Sequence, residues 1–394
     1  MENNNDIAIV SYARTPIGSF LGSLSSISAT KLGAVAIKGV IEKTNLSIED
    51  IDQVIMGNVL SAGLGQAPAR QAAIYSGLPE SVECLTINKM CGSGLKAIML
   101  AQEAILSGNA EIVIAGGMEN MSSSPHLLQN SRTGNKMGDS KLVDSMINDG
   151  LWDAYNDKHM GSCGEMCAEK YNFSREEQDE FAKNSYIKSQ NASNEGIFKD
   201  EIVPVEVIGR KESIFIDTDE EPFRVQFEKI GILKTVFKKS GTITAANAST
   251  ISDGAAACIL MSLKKAKELN IKPIAKILSQ ASFAHSPRWF TTAPIKAIEK
   301  AVAKSGVFID DINLFEINEA FSVVPMAAIK DLNLDSKRVN IFGGAVSLGH
   351  PIGASGARIM CTLLNAMEKQ NVNRGLASLC IGGGEASAMI VERI

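Results

Sequence analysis

The sequence is short of the residues that metal and disulfide chemistry need. Its 394 residues include four histidines (His126, His159, His285, His350) and seven cysteines (Cys84, Cys91, Cys163, Cys167, Cys258, Cys361, Cys380). The cysteine count is odd, the spacing is scattered and no Cys-x-x-Cys occurs. That argues against structural zinc and against a disulfide framework, and fits reduced thiols in a cytoplasmic protein. No apolar run approaches the ~18 residues of a membrane span. The opening MENNNDIAIV is polar and acidic, so neither a secretory signal nor an Arg-rich transit peptide is expected. The formal charge of −5 argues against a nucleic-acid-binding surface. Aromatics are few, at 5%, whereas glycines number 33. Such a balance points to close backbone approaches and tight βα turns.

What is present is repetition. SIEDIDQVIMGNV (47–59) resembles FIDDINLFEINEAF (308–321), CGSGLKAIM (91–99) resembles GASGARIMC (353–361), and IVIAGGME (112–119) resembles SLCIGGGE (378–385). The three matches keep their order, at offsets of 261, 262 and 266. Apolar runs at 6–10, 53–59, 111–117, 256–261, 274–282 and 376–383 read as buried strands. Segments 30–44, 93–106, 294–306 and 354–369 space their apolar residues by three or four and read as helices. The expected fold is therefore α/β, with two duplicated domains. Residues 1–120, completed by about 250–272, form one domain and 273–394 the other; 121–249 has no counterpart and reads as an inserted loop domain. Near its end, Arg224, Lys229, Lys234, Lys238 and Lys239 face a single acid, Glu228, within 222–240. That strip is either a solvated helix face or a clamp for phosphate groups.

The chemistry gathers at four places. In INKMCGSGLKAI (87–98), Cys91 stands where a strand tail turns into a helix. A helix N-terminus would lower its pKa, and the following Gly-Ser-Gly would leave room for a substrate and expose amides to an oxyanion. A buried structural cysteine would look the same. GGAVSLGHPIGASG (343–356) puts His350 in a glycine-rich loop, SLCIGGGEAS (378–387) puts Cys380 at a strand end, and EINEAFS (316–322) puts Asn318 and Glu319 just after an apolar strand. Each alone reads as structural. Together they place Cys, Asn, His and Cys at the C-terminal ends of strands, where α/β sheets bind ligands.

Those blocks, with GGMENMS, HMGSCGE and GTITAANASTISDGAAA, resemble the thiolases over essentially the whole chain. Within that family the likeness is to the acetoacetyl-CoA thiolases, nearest the mitochondrial, potassium-responsive type, with the His159-Met160 pair as a shared detail. The resemblance implies a layered α-β-α-β-α arrangement of the two domains. It implies the reversible conversion of two acetyl-CoA to acetoacetyl-CoA and CoA, with Cys91 as nucleophile, His350 taking its proton and Cys380 removing the α-proton of the second acetyl-CoA. Asn318 would hold a water beside the enolate, and the N–H groups of Cys91 and Gly382 would hold the acyl oxyanion. Tyr186, Arg224 and Lys229 would touch the nucleotide end of CoA, Ser249 and His159 the pantetheine, and Met160, Phe290 and Phe321 the acyl group. Tyr186, Ala245, Ala246, Ala248 and Val346 fall on the potassium ligands of the relatives. No tightly bound cofactor is implied, and a homotetramer is.

Some positions depart from the pattern. Phe290-Thr291 stands where the mitochondrial type has Phe-Pro, which bears on 2-methyl-branched substrates; Ser252-Asp253-Gly254 replaces Asn-Asp-Gly; Glu385 replaces a glycine. Related condensing enzymes with Cys, His and Asn or Glu are one alternative, though they place no second cysteine before a triple glycine. A non-catalytic acyl-CoA or sterol carrier is another, against which the intact Cys91, His350 and Cys380 speak. A Cys–His–Asn protease does not fit the duplicated α/β pattern.

Overall fold

The structure is a computed structural model that describes residues 6–209 and 211–394. The first half runs β1 (Ile7–Arg14), β2 (Gly18–Ser19), α1 (Ala29–Glu42), β3 (Gln53–Gly57), α2 (Pro68–Tyr75), β4 (Glu83–Ile87), α3 (Ser93–Leu106) and β5 (Ile112–Asn120). The chain then leaves the main sheet. It makes the hairpins β6–β7 (His126–Leu128, Leu142–Asp144) and β8–β9 (Trp152–Asp153, Lys158–His159), then α4 (Met160–Tyr171) and α5 (Arg175–Asn194). The hairpin β10–β11 (Val205–Ile208, Ser213–Ile216) and the single turn α6 (Phe227–Ile230) follow. It returns with β12 (Ser252–Ser262) and α7 (Leu263–Glu268). The second half is β13 (Ala275–Ala284), α8 (Ala293–Ser305), β14 (Leu314–Ile317), α9 (Val323–Asp331), α10 (Ala345–Leu348), α11 (Ser355–Lys369), β15 (Arg374–Ile381) and β16 (Glu385–Arg393).

The main sheet is ordered β14-β15-β16-β13-β1-β12-β5-β3-β4, with β2 on β12. Its halves repeat one pattern. β3 pairs parallel to β5 as β14 does to β15. β12 lies antiparallel between β5 and β1, as β16 does between β15 and β13. The halves meet where β1 and β13 pair antiparallel, Ala8 opposite Lys276 and Ile9 opposite Ala275. The equivalent helices begin at Ser93 and Ser355, the equivalent strands at Ile112 and Arg374. Those strands keep the helices' offset, which corrects the value of 266 expected for them. Aligning glycine with glycine caused the slip: Gly116 and Gly117 lie inside β5, whereas Gly383 and Gly384 make the turn after β15 with φ of +93° and +89°.

The layers follow from the apolar faces. α1 and α2 pack on the outside of the first half-sheet and α8 on the outside of the second. α3 and α11 lie against each other between the half-sheets, and their shared core joins Leu95, Ile98 and Met99 to Ile359, Met360 and Leu363. These two helices cross where neither tolerates a side chain. A Cβ on Gly94 would stand 2.6 Å from the Ala357 nitrogen, and one on Gly356 would stand 2.2 Å from the Leu95 nitrogen. The Gly-Ser-Gly after Cys91 therefore makes room for the other half of the chain, since a Cβ on Gly92 would meet the Ile381 side chain at 2.3 Å. Space for a ligand was the expectation, and close interdomain packing replaces it.

Candidate active site

The helix crossing brings the C-terminal ends of strands from both halves to one place. After β4 the chain turns at Lys89, Met90 and Cys91. Met90 has φ +47°, a left-handed conformation uncommon for a side chain of its size, and such positions concentrate at functional turns. Ser93 holds the turn: its hydroxyl accepts from the Lys89 N–H at 2.8 Å and donates to the Met90 carbonyl at 2.6 Å. Cys91 is left half-buried, with its own N–H and that of Gly382 directed at its sulfur. Gly382 has an open face, since the nearest atom to a Cβ there would be Met160 Cε at 3.5 Å.

From the second half come His350 and Asn318, both buried. His350 Nδ1 lies 2.5 Å from Ser355 Oγ. The single hydroxyl proton of Ser355 goes to the Pro351 carbonyl at 2.8 Å, so Ser355 accepts from the imidazole. Nδ1 thus carries the ring proton and Nε2 the lone pair. Asn318 Nδ2 approaches that Nε2 at 3.5 Å, while Asn318 Oδ1 is buried without a partner among the described residues. Cys380 is fully buried.

Burial dominates the titration of these groups. It pushes the Cys91 thiol up to about 11, against the pull of the two N–H donors and helped by the nearby Glu119. It pushes Cys380 well above the usual thiol value, with Cys91 adding to the effect. Burial, with a smaller contribution from Arg358, lowers His350 to about 3. The expectation of a low-pKa Cys91 is corrected here: desolvation outweighs the two amides at the sulfur. Thiol and imidazole are both neutral in the free protein. Glu119, also fully buried, is raised by burial to about 7 against the pull of the Val59, Leu60 and Gly353 N–H groups.

Cys91, His350 and Gly382 share the wall of a cavity of about 490 Å³. The same wall contains His159, Met160, Arg224, Ala245, Ala248, Ser249, Phe290 and Phe321. Asn318, Cys380, Tyr186, Lys229, Ala246 and Val346 lie outside it. Tyr186 and Val346 instead share a small buried cluster, and Lys229 is exposed. The strip 222–240 is not one helix, since only the single turn α6 forms in it. Arg224 reaches the cavity while paired with Glu220 at 3.1 Å, and Lys238 pairs with Glu169. His159 caps α4, its Nδ1 accepting from the Gly161 N–H at 3.1 Å, and stacks on Phe237 at 4.6 Å. A larger groove of about 660 Å³ along α5 and α9 contains none of Cys91, His350 and Cys380.

Sequence reasoning missed Ser355, Glu119 and Phe237. Ser355 had a signal, since it matches Ser93 in the repeat. Glu119 and Phe237 had none, because each acts through partners distant in the chain.

A scissile thioester could be held here between a sulfur, two convergent N–H groups and an imidazole lone pair, and that is the equipment of an acyl-transferring enzyme. Comparison with known proteins agrees. Residues 7–264 match the thiolase N-terminal domain and residues 271–393 the thiolase C-terminal domain, and the chain belongs to the thiolase family. It is 50% identical over 393 residues to the acetyl-CoA acetyltransferase of Schizosaccharomyces pombe, covering 99% of this chain and 100% of that one. It is 51% identical over 392 residues to the mitochondrial acetyl-CoA acetyltransferase of Bos taurus, covering 99% and 92%. The crystal structure of the Acat5 thiolase of Ascaris suum in complex with coenzyme A superposes with a TM-score of 0.94 at 47% identity, covering 99% and 100%.

Proposed function

We propose that this protein is an acetyl-CoA C-acetyltransferase that interconverts two acetyl-CoA with acetoacetyl-CoA and free CoA. The observation that carries the reading is that Cys91, with the Cys91 and Gly382 N–H groups at its sulfur, shares one cavity wall with His350, whose Nε2 carries the lone pair. Cys91 attacks the thioester carbonyl, its proton passes to His350 Nε2 and stays there, and CoA leaves as the thiol with the proton of Cys380. Because both groups start neutral, the thiolate forms only as the attack proceeds. The acetyl oxygen rests on the two N–H groups. Cys380, left as a thiolate, then removes the α-proton of a second acetyl-CoA, and the enolate oxygen is held by the Nε2–H of His350 and a water on Asn318, whose unpartnered Oδ1 is available for it. The enolate carbon attacks acetyl-Cys91 and releases acetoacetyl-CoA.

Arg224 at the cavity, with Tyr186 and Lys229 nearby in the chain's insertion, takes the anionic nucleotide end of CoA. Ser249 and His159 take the pantetheine, and Met160, Phe290 and Phe321 wall the acyl group. No tightly bound cofactor is needed. A potassium ion at Tyr186, Ala245, Ala246, Ala248 and Val346 fits the donors present: among the described residues the carbonyls of Ala245, Ala246 and Ala248 accept no hydrogen bond. Sites built mostly from backbone carbonyls suit a monovalent ion, which would brace the loop bearing Ser249. Acetoacetyl-CoA cleavage that is unchanged when sodium replaces potassium refutes that part. A homotetramer in the cytoplasm completes the reading, supported by the exposed Leu128, Met137 and Leu142 around the hairpin β6–β7; light scattering that gives a monomer refutes it. The domain bounds 1–120 with 250–272, 121–249 and 273–394 follow the departure from the sheet after Asn120 and the return at Ser252.

The test is loss of acetoacetyl-CoA absorbance on adding CoA. Cys91→Ala should lose acetyl transfer altogether. Cys380→Ser should still take up acetyl from labelled acetyl-CoA yet neither condense nor cleave. A wild type that cleaves nothing in potassium buffer refutes the assignment.

A further inference from the structure

Glu119 stands at the end of β5, fully buried, and no lysine, arginine or histidine pairs with it among the described residues. Its carboxylate is instead fully engaged by uncharged donors. One oxygen accepts from Asn58 Nδ2 at 2.9 Å and from the Leu60 N–H at 3.2 Å. The other accepts from the Val59 N–H at 3.0 Å and the Gly353 N–H at 2.9 Å. The donors come from two segments. Asn58, Val59 and Leu60 follow β3 in the first half; Gly353 lies three residues after His350 in the second. Val59, Leu60 and Ile352 belong to the apolar cluster against which Met90 and Cys91 pack. At Gly353 the fit is so close that a Cβ would stand 2.7 Å from the Glu119 carboxylate.

We infer that Glu119 is a positioning residue, a clamp that holds the His350 loop of one half in register with the bed of Cys91 in the other. The inference rests on the roles assigned to Cys91 and His350 above. A carboxylate is the one side chain that offers acceptors on both ends. Glutamine has the same shape, but whichever way its amide is turned, its NH2 meets two N–H donors. The loop must then shift, and a displacement near 1 Å between reacting groups costs about 10²-fold in rate.

The experiment compares wild type and Glu119→Gln in acetoacetyl-CoA cleavage, in acetylation of Cys91 by labelled acetyl-CoA, and in thermal melting. Expected are a kcat lowered about 100-fold, acetylation slowed in proportion, and a KM within about twofold of wild type. A kcat within about threefold of wild type overturns the inference, and so does a loss fully explained by a smaller folded fraction. Where Glu119→Gln does not fold, Asn58→Ala removes one donor and leaves the carboxylate; a kcat about tenfold lower at unchanged KM is expected there, and an unchanged kcat overturns the inference. Active wild type with an indifferent variant removes only the clamp; inactive wild type removes the clamp and the functional reading together.

Discussion

Replacing Ser355 with alanine isolates what a single hydroxyl contributes. Ser355 is fully buried and its hydroxyl is engaged on both sides, by the His350 ring and by the Pro351 carbonyl, so its effect passes through His350. Its oxygen, 2.5 Å from His350 Nδ1, fixes which ring nitrogen carries the proton. In Ser355→Ala the Nδ1 proton loses its only acceptor among the described residues. A buried donor left unsatisfied costs about 1–3 kcal/mol. That cost falls on the one tautomer able to accept the Cys91 proton at Nε2. At roughly 1.4 kcal/mol per factor of ten, kcat should fall about 5- to 150-fold. KM for acetoacetyl-CoA should stay within about twofold, since nothing in the wall is altered. The assay is steady-state cleavage of acetoacetyl-CoA with CoA, alongside single-turnover acetylation by acetyl-CoA, which should slow equally. A kcat within about twofold of wild type, or a loss confined to KM, would refute the tautomer argument.

Other outcomes follow from the same geometry. Alkylation of Cys91 by iodoacetamide, mapped by mass spectrometry, should rise about tenfold per pH unit from pH 7 towards the thiol value of about 11; a plateau below about pH 8 would mean a preformed thiolate. Gly356→Ala should destabilise the protein by about 1–3 kcal/mol or more in urea unfolding, because its Cβ would meet the Leu95 backbone; an unchanged midpoint would show that the helices can part freely. Arg224→Ala should raise KM for CoA several-fold with little change in kcat, whereas Lys229→Ala should do less, since Arg224 alone of the two reaches the wall; equal effects would place the nucleotide elsewhere.

Much of this was legible in the chain. Segment 93–106 is a helix from Ser93 to Leu106 as its spacing predicts, and the matched blocks at 47–59 and 308–321 both fold as a short turn followed by a parallel strand. Strand β16 was not foreseen: Glu385–Arg393 sits behind a triple glycine that hides where the turn ends. Cys91 and His350 were singled out because each stands among glycines, and Gly382 through the resemblance to the thiolases. What the sequence could not show was the balance of forces on them. A helix terminus is visible as a pattern, but the depth of burial that overrides it depends on residues from the other half. The glycines after Cys91 misled for the same reason. Their neighbours, Ile381 and Ala357, are more than 250 residues away in the chain.

The repeat sets Ser93 and Ser355 at matching helix starts, and each serine ties down the turn ahead of its helix. Yet on that alignment Cys91 is matched by Gly353. Two identical halves would present two nucleophiles face to face and no imidazole to relieve either of its proton. The chemistry requires the copies to disagree: one keeps a sulfur at its turn, and the other gives up that position so that its backbone can anchor the loop carrying the base. Fusion into one chain is what lets a symmetric frame hold unlike parts, each free to drift because the other covers what it has lost.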